Sequence, residues 1–312
     1  MGRTTAALAE AVTSADIVRT VADHLQPAFG ADGLSIEALE SGPEGRPRDR
    51  CRPRAGPQHA VRLVSEGADI VALDICAQIG TASYTMPTEE DLEEIARLVR
   101  EHGRRVVTCV ADVRERRELS AAVDAGVREL GRLDVVVANT GITTLGPDVL
   151  VKGWFDTVAV NLVGVVNTVE AAHLHLGPGS SIVCIGSMAA LLDGFVDQAG
   201  PGGAGYAHAK RHVARLVHDL ALQPAPASIR VNAIHPGNVD STMIHHDALY
   251  RLFRPDLDNP AWEDVALRDR PAVEGRRRRA VAQRRYRATG PRPGPPASGG
   301  PDRPAVSCCV RL

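Results

Sequence analysis

Lysine is almost absent from this sequence: Lys152 and Lys210 are its only two, so nearly all of the 36 basic residues are arginines. That usage reads as a bias of the coding DNA rather than chemistry. Aromatic side chains are scarce as well, at 3%. The 38 acidic residues bring the formal charge to -2, so no basic field covers the chain and nucleic acid is not expected as a partner. No eighteen apolar residues run together, and the opening MGRTTAALAEAVTSADIVRTVADHL carries early charges without an uninterrupted apolar core. Neither a membrane span nor a secretory leader is expected. The six cysteines, Cys51, Cys76, Cys109, Cys184, Cys308 and Cys309, form no C-x2-C pair, so no metal site is expected and a reduced, cytoplasmic chain is the default.

What is present is 312 residues, 44% of them hydrophobic, enough for one large core or two modest domains. Residues 5–28 place apolar positions at helical spacing, and the 1–41 segment weakly resembles the start of a GAF sensor domain. Residues 42–56, GPEGRPRDRCRPRAG, hold no four-residue apolar run and read as a disordered linker. Over 57–258 the pattern changes. HAVRLVSEG, DLEEIARLVREHG, LSAAVDAGVRELG, a long run around WFDTVAVNLVGVVNTVEAAH, and YAHAKRHVARLVHDLAL alternate as helices with the strands ADIVALDIC, RVVTCVADV, LDVVVANTG, SSIVCIGS and IRVNAIHPG. Five Val- and Ile-rich strands separated by helices predict an α/β, Rossmann-like, doubly wound and mainly parallel sheet. From 259 to 312 clustered Arg, Pro and Gly replace the periodicity, so this tail is expected to be disordered. Its arginines suit phosphate contacts, but Tyr286 is the one aromatic among the clustered arginines of VEGRRRRAVAQRRYRATGPRP and no recognition module is legible.

The chemistry sits at strand ends and on one helix. Tyr206 and Lys210, four apart, project from the same helix face. A phenol titrates near 10, and a neighbouring ammonium favours the phenolate, which is what a residue exchanging a proton with an alcohol or carbonyl requires. Ser187 closes the strand SSIVCIGS, where a hydroxyl can emerge to hold a substrate oxygen or simply begin a turn. Asn161 interrupts the apolar helix AVNLVGVV and needs a hydrogen-bond partner. Asp74 ends IVALD, where a carboxylate accepts both hydroxyls of an adenosine ribose and repels a 2'-phosphate, or caps a helix. Asp112 follows VVTCVA in the same way, to meet an adenine amino group or cap the next helix, and Asn139 follows a third buried strand.

Taken in order, HAVRLVSEGADIVALDIC, RRVVTCVADVR, GRLDVVVANTG, VNLVGVVNT, SIVCIGS, YAHAK and IRVNAIHPGNVDSTMI resemble the short-chain dehydrogenase/reductase family, and within it the mycofactocin-associated, carveol-dehydrogenase-like branch. The resemblance spans about 56–258. It implies NAD as cofactor and hydride transfer between nicotinamide and a secondary alcohol or ketone. It implies catalytic roles for Asn161, Ser187, Tyr206 and Lys210, with Tyr206 exchanging the proton, Ser187 polarising the substrate oxygen and Lys210 lowering the phenol pKa and binding the nicotinamide ribose. Cofactor contacts are implied at Gly56, Asp74, Ile75, Asp112, Val113, Asn139, Gly141, Tyr206, Lys210, Pro236, Gly237 and Val239. A small hydrophobic alcohol or ketone substrate, a mycofactocin redox partner and a homo-oligomer follow from the same resemblance.

Two departures stand out. The family begins with a buried strand and a TGxxxGxG loop, of which only Gly56 keeps its place. Arg50 and Arg54 occupy the first two glycine positions, and their bulk does not reproduce a tight glycine turn. The sheet is therefore expected to be incomplete at its first and last strands, with LSIEALE at 34–40 a poor, acidic candidate for the central gap. Periodicity ends abruptly on both sides, as frame disruptions or a fusion would cause. The alternative function is accordingly a catalytically impaired remnant, acting at most as a binding or oligomerisation module. GPGGAG lengthens the segment ahead of Tyr206 and is read as loop.

Overall fold

The computed structural model describes residues 55–146, 149–192, 194, 196–222, 228–239, 241–265 and 306–310, those of 55–58 and 306–310 by backbone alone. In chain order the helices are α1 (Ala55–Ser65), α2 (Glu89–Glu101), α3 (Arg116–Leu130), α4 (Val151–Val158), α5 (Gly164–His173), α6 (Gly200–Leu222), α7 (Asp247–Phe253) and α8 (Trp262–Val265). The strands are β1 (Asp69–Asp74), β2 (Val106–Val110), β3 (Leu133–Ala138), β4 (Leu176–Ile185), β5 (Arg230–Ile234) and β6 (Val306–Val310). None of these helices is long and apolar enough to cross a membrane.

Local signals set several boundaries. Thr88 starts α2 with a reciprocal capping box: its hydroxyl accepts the Asp91 N–H while the Asp91 carboxylate accepts the Thr88 N–H. Gly131, at φ +94°, ends α3 in the left-handed region. Strands β1 to β5 lie where their apolar runs place them, and successive residues serve opposite faces. Val71, Leu73, Val136, Ala138, Ile182 and Cys184 pack in one cluster with residues of α3, α5 and α6. Ile70, Ala72, Val135, Val137 and Val183 pack on the other side with Leu63 of α1 and Ile95 of α2. Helices thus cover both faces, and each fully buried aliphatic side chain contributes about 1.5–3 kcal/mol.

The sheet runs β2-β1-β6-β3-β4-β5, every pairing parallel. Here the structure departs from expectation. The central place between β1 and β3 is filled by β6, whose Cys308 is in register with Val71 on one side and Val136 on the other. An ordered strand therefore lies inside the 259–312 tail. The physical reason is that β1 and β3 each carry a row of backbone groups on the side facing the gap, which are satisfied only by another strand. VSCCV is a mostly apolar run, with one serine and neither Arg nor Pro. The packed region also extends past 258 at α8, where Val265 O accepts from Asn238 Nδ2 at 3.2 Å, and α1 begins one residue before Gly56, inside the presumed linker. The GAF-like 1–41 segment, with LSIEALE, and residues 42–54 lie outside the described residues.

The GPGGAG stretch is helical rather than loop: α6 begins at Gly200. Pro201 suits a first helical turn. Gly202 is needed for proximity, since a Cβ there would lie 1.7 Å from Thr144 O.

Candidate active site

The carboxyl ends of the strands share one edge of the sheet, the place where open α/β sheets bind ligands. Ser187 follows β4 by two residues. Its hydroxyl accepts the Ala189 N–H at 3.1 Å, starting a short 3-10 turn, and acts on the Tyr206 phenol, whose pKa it lowers. Lys210, one turn beyond Tyr206 on α6 and only 3% exposed, has its Nζ 5.7 Å from the centre of the phenol ring and donates to Ile185 O at 2.7 Å. That bond ties α6 to the end of β4.

Asn161 lies in a π-helical turn, Ala159–Val163, between α4 and α5. Such single wide turns re-aim one residue within a helix. Its amide is fully buried and clamps one backbone unit, accepting from Ile142 N at 2.8 Å and donating to Ile142 O at 2.9 Å. A Cβ built on Gly141 would stand 3.5 Å from both Asn161 Oδ1 and Lys210 Nζ. The four residues that the sequence singles out for catalysis are thus gathered at one place.

The electrostatics differ in one respect from the sequence expectation. Burial raises the Tyr206 pKa, and the Ser187 hydrogen bond opposes that only in part. Burial also lowers Lys210 to about 8, against a smaller opposing pull from Cys184. Cys184 beneath it is pushed up to about 12 by burial, with Lys210 acting the other way. Desolvation outweighs the ammonium's influence on the phenol here. Tyr206 is therefore a proton-bearing phenol near neutrality, beside a lysine that is still mostly charged.

The other strand ends are less uniform. Asp74 is buried, and its Oδ1 accepts the Cys76 N–H at 2.9 Å, a turn that leaves Cys76 at φ +50°. Ile75 packs against the core. Both oxygens of Asp112 are occupied by Arg114, whose Nε lies 3.0 and 2.9 Å from them, so an adenine amino group would share this carboxylate with a guanidinium. Val113 is buried and its carbonyl accepts from Asn167 Nδ2 at 2.8 Å. Asn139 follows β3, its backbone N–H on Val137 O at 3.0 Å. Pro236 O accepts from Met188 N at 2.8 Å, Gly237 has open space where a Cβ would stand, and Val239 packs on the second core cluster. Gly56 lies in the first turn of α1, and Arg50 and Arg54 fall outside the described residues.

Three further groups at this edge escaped the sequence reading. Thr140 is 2% exposed, and its Oγ1 has no hydrogen-bond partner, a buried hydroxyl between Asn139 and Gly141 that suits a bound polar ligand. Tyr84, on the loop after β1, takes the Thr143 N–H at 3.3 Å and is raised to about 12 by burial. His235 contacts the Ser187 backbone. An aromatic in an otherwise aromatic-poor chain was the one available signal for Tyr84.

A wholly parallel, doubly wound sheet with serine, tyrosine and lysine gathered at its carboxyl edge defines the class, an oxidoreductase fold of the Rossmann type. Residues 56–249 match the model of the family described as short chain dehydrogenase, and the chain belongs to that family. It is 43% identical over 211 residues to an uncharacterized oxidoreductase of Mycobacterium tuberculosis (strain CDC 1551 / Oshkosh), covering 66% of this chain and 75% of that protein. It is 37% identical over 217 residues to the (-)-trans-carveol dehydrogenase of Rhodococcus erythropolis, covering 68% and 76%. The crystal structure of carveol dehydrogenase from Mycobacterium avium in complex with NAD superposes with a TM-score of 0.61 at 43% identity, over 67% of this chain and 76% of that one.

Proposed function

We propose that this protein is an NAD-dependent oxidoreductase that interconverts a secondary alcohol and a ketone. The carrying observation is Lys210 Nζ 5.7 Å from the centre of the Tyr206 ring, with the Ser187 hydroxyl close enough to the same phenol to lower its pKa. The residues present suit NAD rather than its 2'-phosphate: a buried carboxylate, Asp74, ends β1 where the ribose would be held, and the Thr140 hydroxyl is left for a ligand. The similarity to dehydrogenases whose descriptions specify NAD supports the same choice. When bound, NAD supplies the acceptor or donor of a hydride.

The chain's own residues do the rest. Tyr206 releases its phenol proton to a carbonyl oxygen on reduction and regains it on oxidation. Ser187 donates a hydrogen bond to that oxygen as negative charge builds there. Lys210 stabilises the phenolate between these states and would hold the nicotinamide ribose. Asn161 fixes the Ile142 backbone beneath them. Cofactor contacts fall to Gly56, Ile75, Asp112, Val113, Asn139, Gly141, Pro236, Gly237 and Val239.

An apolar cluster of Leu145, Ile244 and Leu249, with Phe253 and Trp262 against it, supports a small hydrophobic alcohol or ketone as substrate. The carveol dehydrogenase relative supports the same class, and the sequence resemblance to the mycofactocin-associated branch makes mycofactocin the candidate reoxidant. The exposed Leu150, Val151 and Phe155 on and beside α4 support a homo-oligomer. Free thiols at Cys76, Cys109 and Cys184 fit a reducing cytoplasm.

The test is fluorescence titration of the purified protein with NADH, followed by alcohol-dependent reduction of NAD. Tyr206→Phe should retain binding and lose turnover by about 100-fold or more. A folded protein that binds no nicotinamide nucleotide at millimolar concentration refutes the reading and leaves the remnant.

A further inference from the structure

The backbone ladder between the ends of β4 and β5 runs past both strands. Ile185 pairs with Ile234, Gly186 N donates to Ile234 O at 2.7 Å, and Met188 N donates to Pro236 O at 2.8 Å. Between those two bonds lies Ser187, whose own N–H and C=O converge on a single side-chain atom. Nδ1 of His235 stands 3.3 Å from Ser187 N and 3.1 Å from Ser187 O. Gly186 makes the room, because a Cβ there would meet His235 Nδ1 at 2.5 Å and Cε1 at 2.6 Å.

We infer that His235 is a positioning residue for the reaction, holding the Ser187 backbone so that its hydroxyl meets Tyr206 and the substrate oxygen in register. The inference rests on the reading of Ser187 given above. One imidazole nitrogen either donates to the carbonyl or accepts from the N–H, never both, so each neutral tautomer holds one of the two serine groups. Burial holds the ring's pKa below its ordinary value, opposed in part by its bond to the Ser187 backbone and aided by the weaker effect of the Lys210 ammonium. The Ser187 hydroxyl already serves Ala189 N and Tyr206. The Ser187 carbonyl also accepts the Ala190 N–H at 3.0 Å, whereas the Ser187 N–H has no backbone partner and meets only His235 Nδ1 among the described residues.

The test exploits side-chain reach. Asparagine carries a polar atom at the same number of bonds from Cα as Nδ1, whereas glutamine carries its polar atoms one bond further out, at the depth of Nε2. The full-length proteins compared are wild type, Ser187→Ala, His235→Ala, His235→Asn and His235→Gln, with kcat and KM measured for a secondary alcohol and for NAD and with thermal melts to establish folding. A displaced catalytic group of about 1 Å costs about 100-fold. His235→Ala and His235→Gln should therefore lose about 10- to 100-fold in kcat with KM for NAD changed less than about threefold, and His235→Asn should recover most of the loss.

If His235→Ala does not fold, the Asn and Gln variants decide. Equal kcat in those two, or a loss confined to KM, overturns the positioning role. A wild type that does not reduce NAD, or a Ser187→Ala variant as active as wild type, overturns the catalytic reading and this inference with it. An active wild type matched by folded His235→Ala overturns the inference alone.

Discussion

Asn161→Leu isolates the worth of the clamp on Ile142. The substitution keeps the count and branching of side-chain heavy atoms inside the π-helical turn, though two methyl groups are bulkier than the amide, and removes both hydrogen bonds, those of 2.8 and 2.9 Å. Ile142 and Asn161 are both fully buried, so no water is at hand to take over the peptide groups. A buried donor or acceptor left unsatisfied costs about 1–3 kcal/mol. Two together give about 2–6 kcal/mol, a large share of the about 5–15 kcal/mol that holds a typical domain. In urea, with a slope of about 2 kcal/mol/M, the midpoint should fall by about 1–3 M at unchanged slope. Trp154 fluorescence, read alongside far-ultraviolet circular dichroism, follows the transition. A midpoint lowered by less than about 0.3 M in a folded variant would show that the pair adds almost nothing and that the turn is held by packing alone. Asn161→Asp sharpens the result: it can still accept from Ile142 N but sets an oxygen against Ile142 O, so it should be at least as destabilised as the leucine variant near neutral pH.

His59 is 1% exposed, both its ring nitrogens lack partners, and burial lowers its pKa from 6.5 to about 4. The unfolded chain therefore binds the extra proton first as pH falls, and stability is lost between about 6.5 and 4. The stability gap between His59→Leu and wild type should widen in the variant's favour by about 3 kcal/mol across that window, as denaturant titrations at several pH values would record. A gap that does not change with pH refutes the burial argument. Gly202→Ala should lower stability by about 1–3 kcal/mol in a thermal melt despite alanine's better helix propensity, because the Cβ lands on Thr144 O. A neutral or stabilised variant means that α6 has room to move away. Cys308→Pro removes an N–H from the strand paired with both β1 and β3, and loss of the cooperative unfolding transition is expected. A native-like melt would mean that the sheet does not need this strand.

Alternation of strand and helix was legible because periods of two and of 3.6 are both written strongly into 57–258, and strand ends placed Asp74, Asp112, Asn139 and Ser187 at one edge without further information. Tyr206 and Lys210 were legible from their four-residue spacing. Composition misled at the margins. Gly and Pro in GPGGAG signal a loop, yet at Gly202 the missing side chain is what lets α6 approach Thr144. In the tail, the surrounding Arg and Pro obscured a five-residue, mostly apolar strand, four residues of which pair on both sides. His235 was invisible for a different reason: its partner is a backbone 48 positions away, and no local pattern records such a contact. The expectation that Lys210 sets the Tyr206 pKa weighed a neighbouring charge without the dehydration that accompanies it, a quantity only the packed structure supplies.

The central strand also carries a consequence for biosynthesis. A ribosome completes β1 and β3 long before it reaches the residues that lie between them, and until then β2-β1 and β3-β4-β5 share no edge. Joining them closes a loop from Asp69 to Val306, a late, non-local event of the sort that slows folding and leaves sticky half-sheets exposed. Chaperone demand during synthesis, and sensitivity of the yield to growth temperature, should accordingly exceed those of a relative whose middle strand is made first.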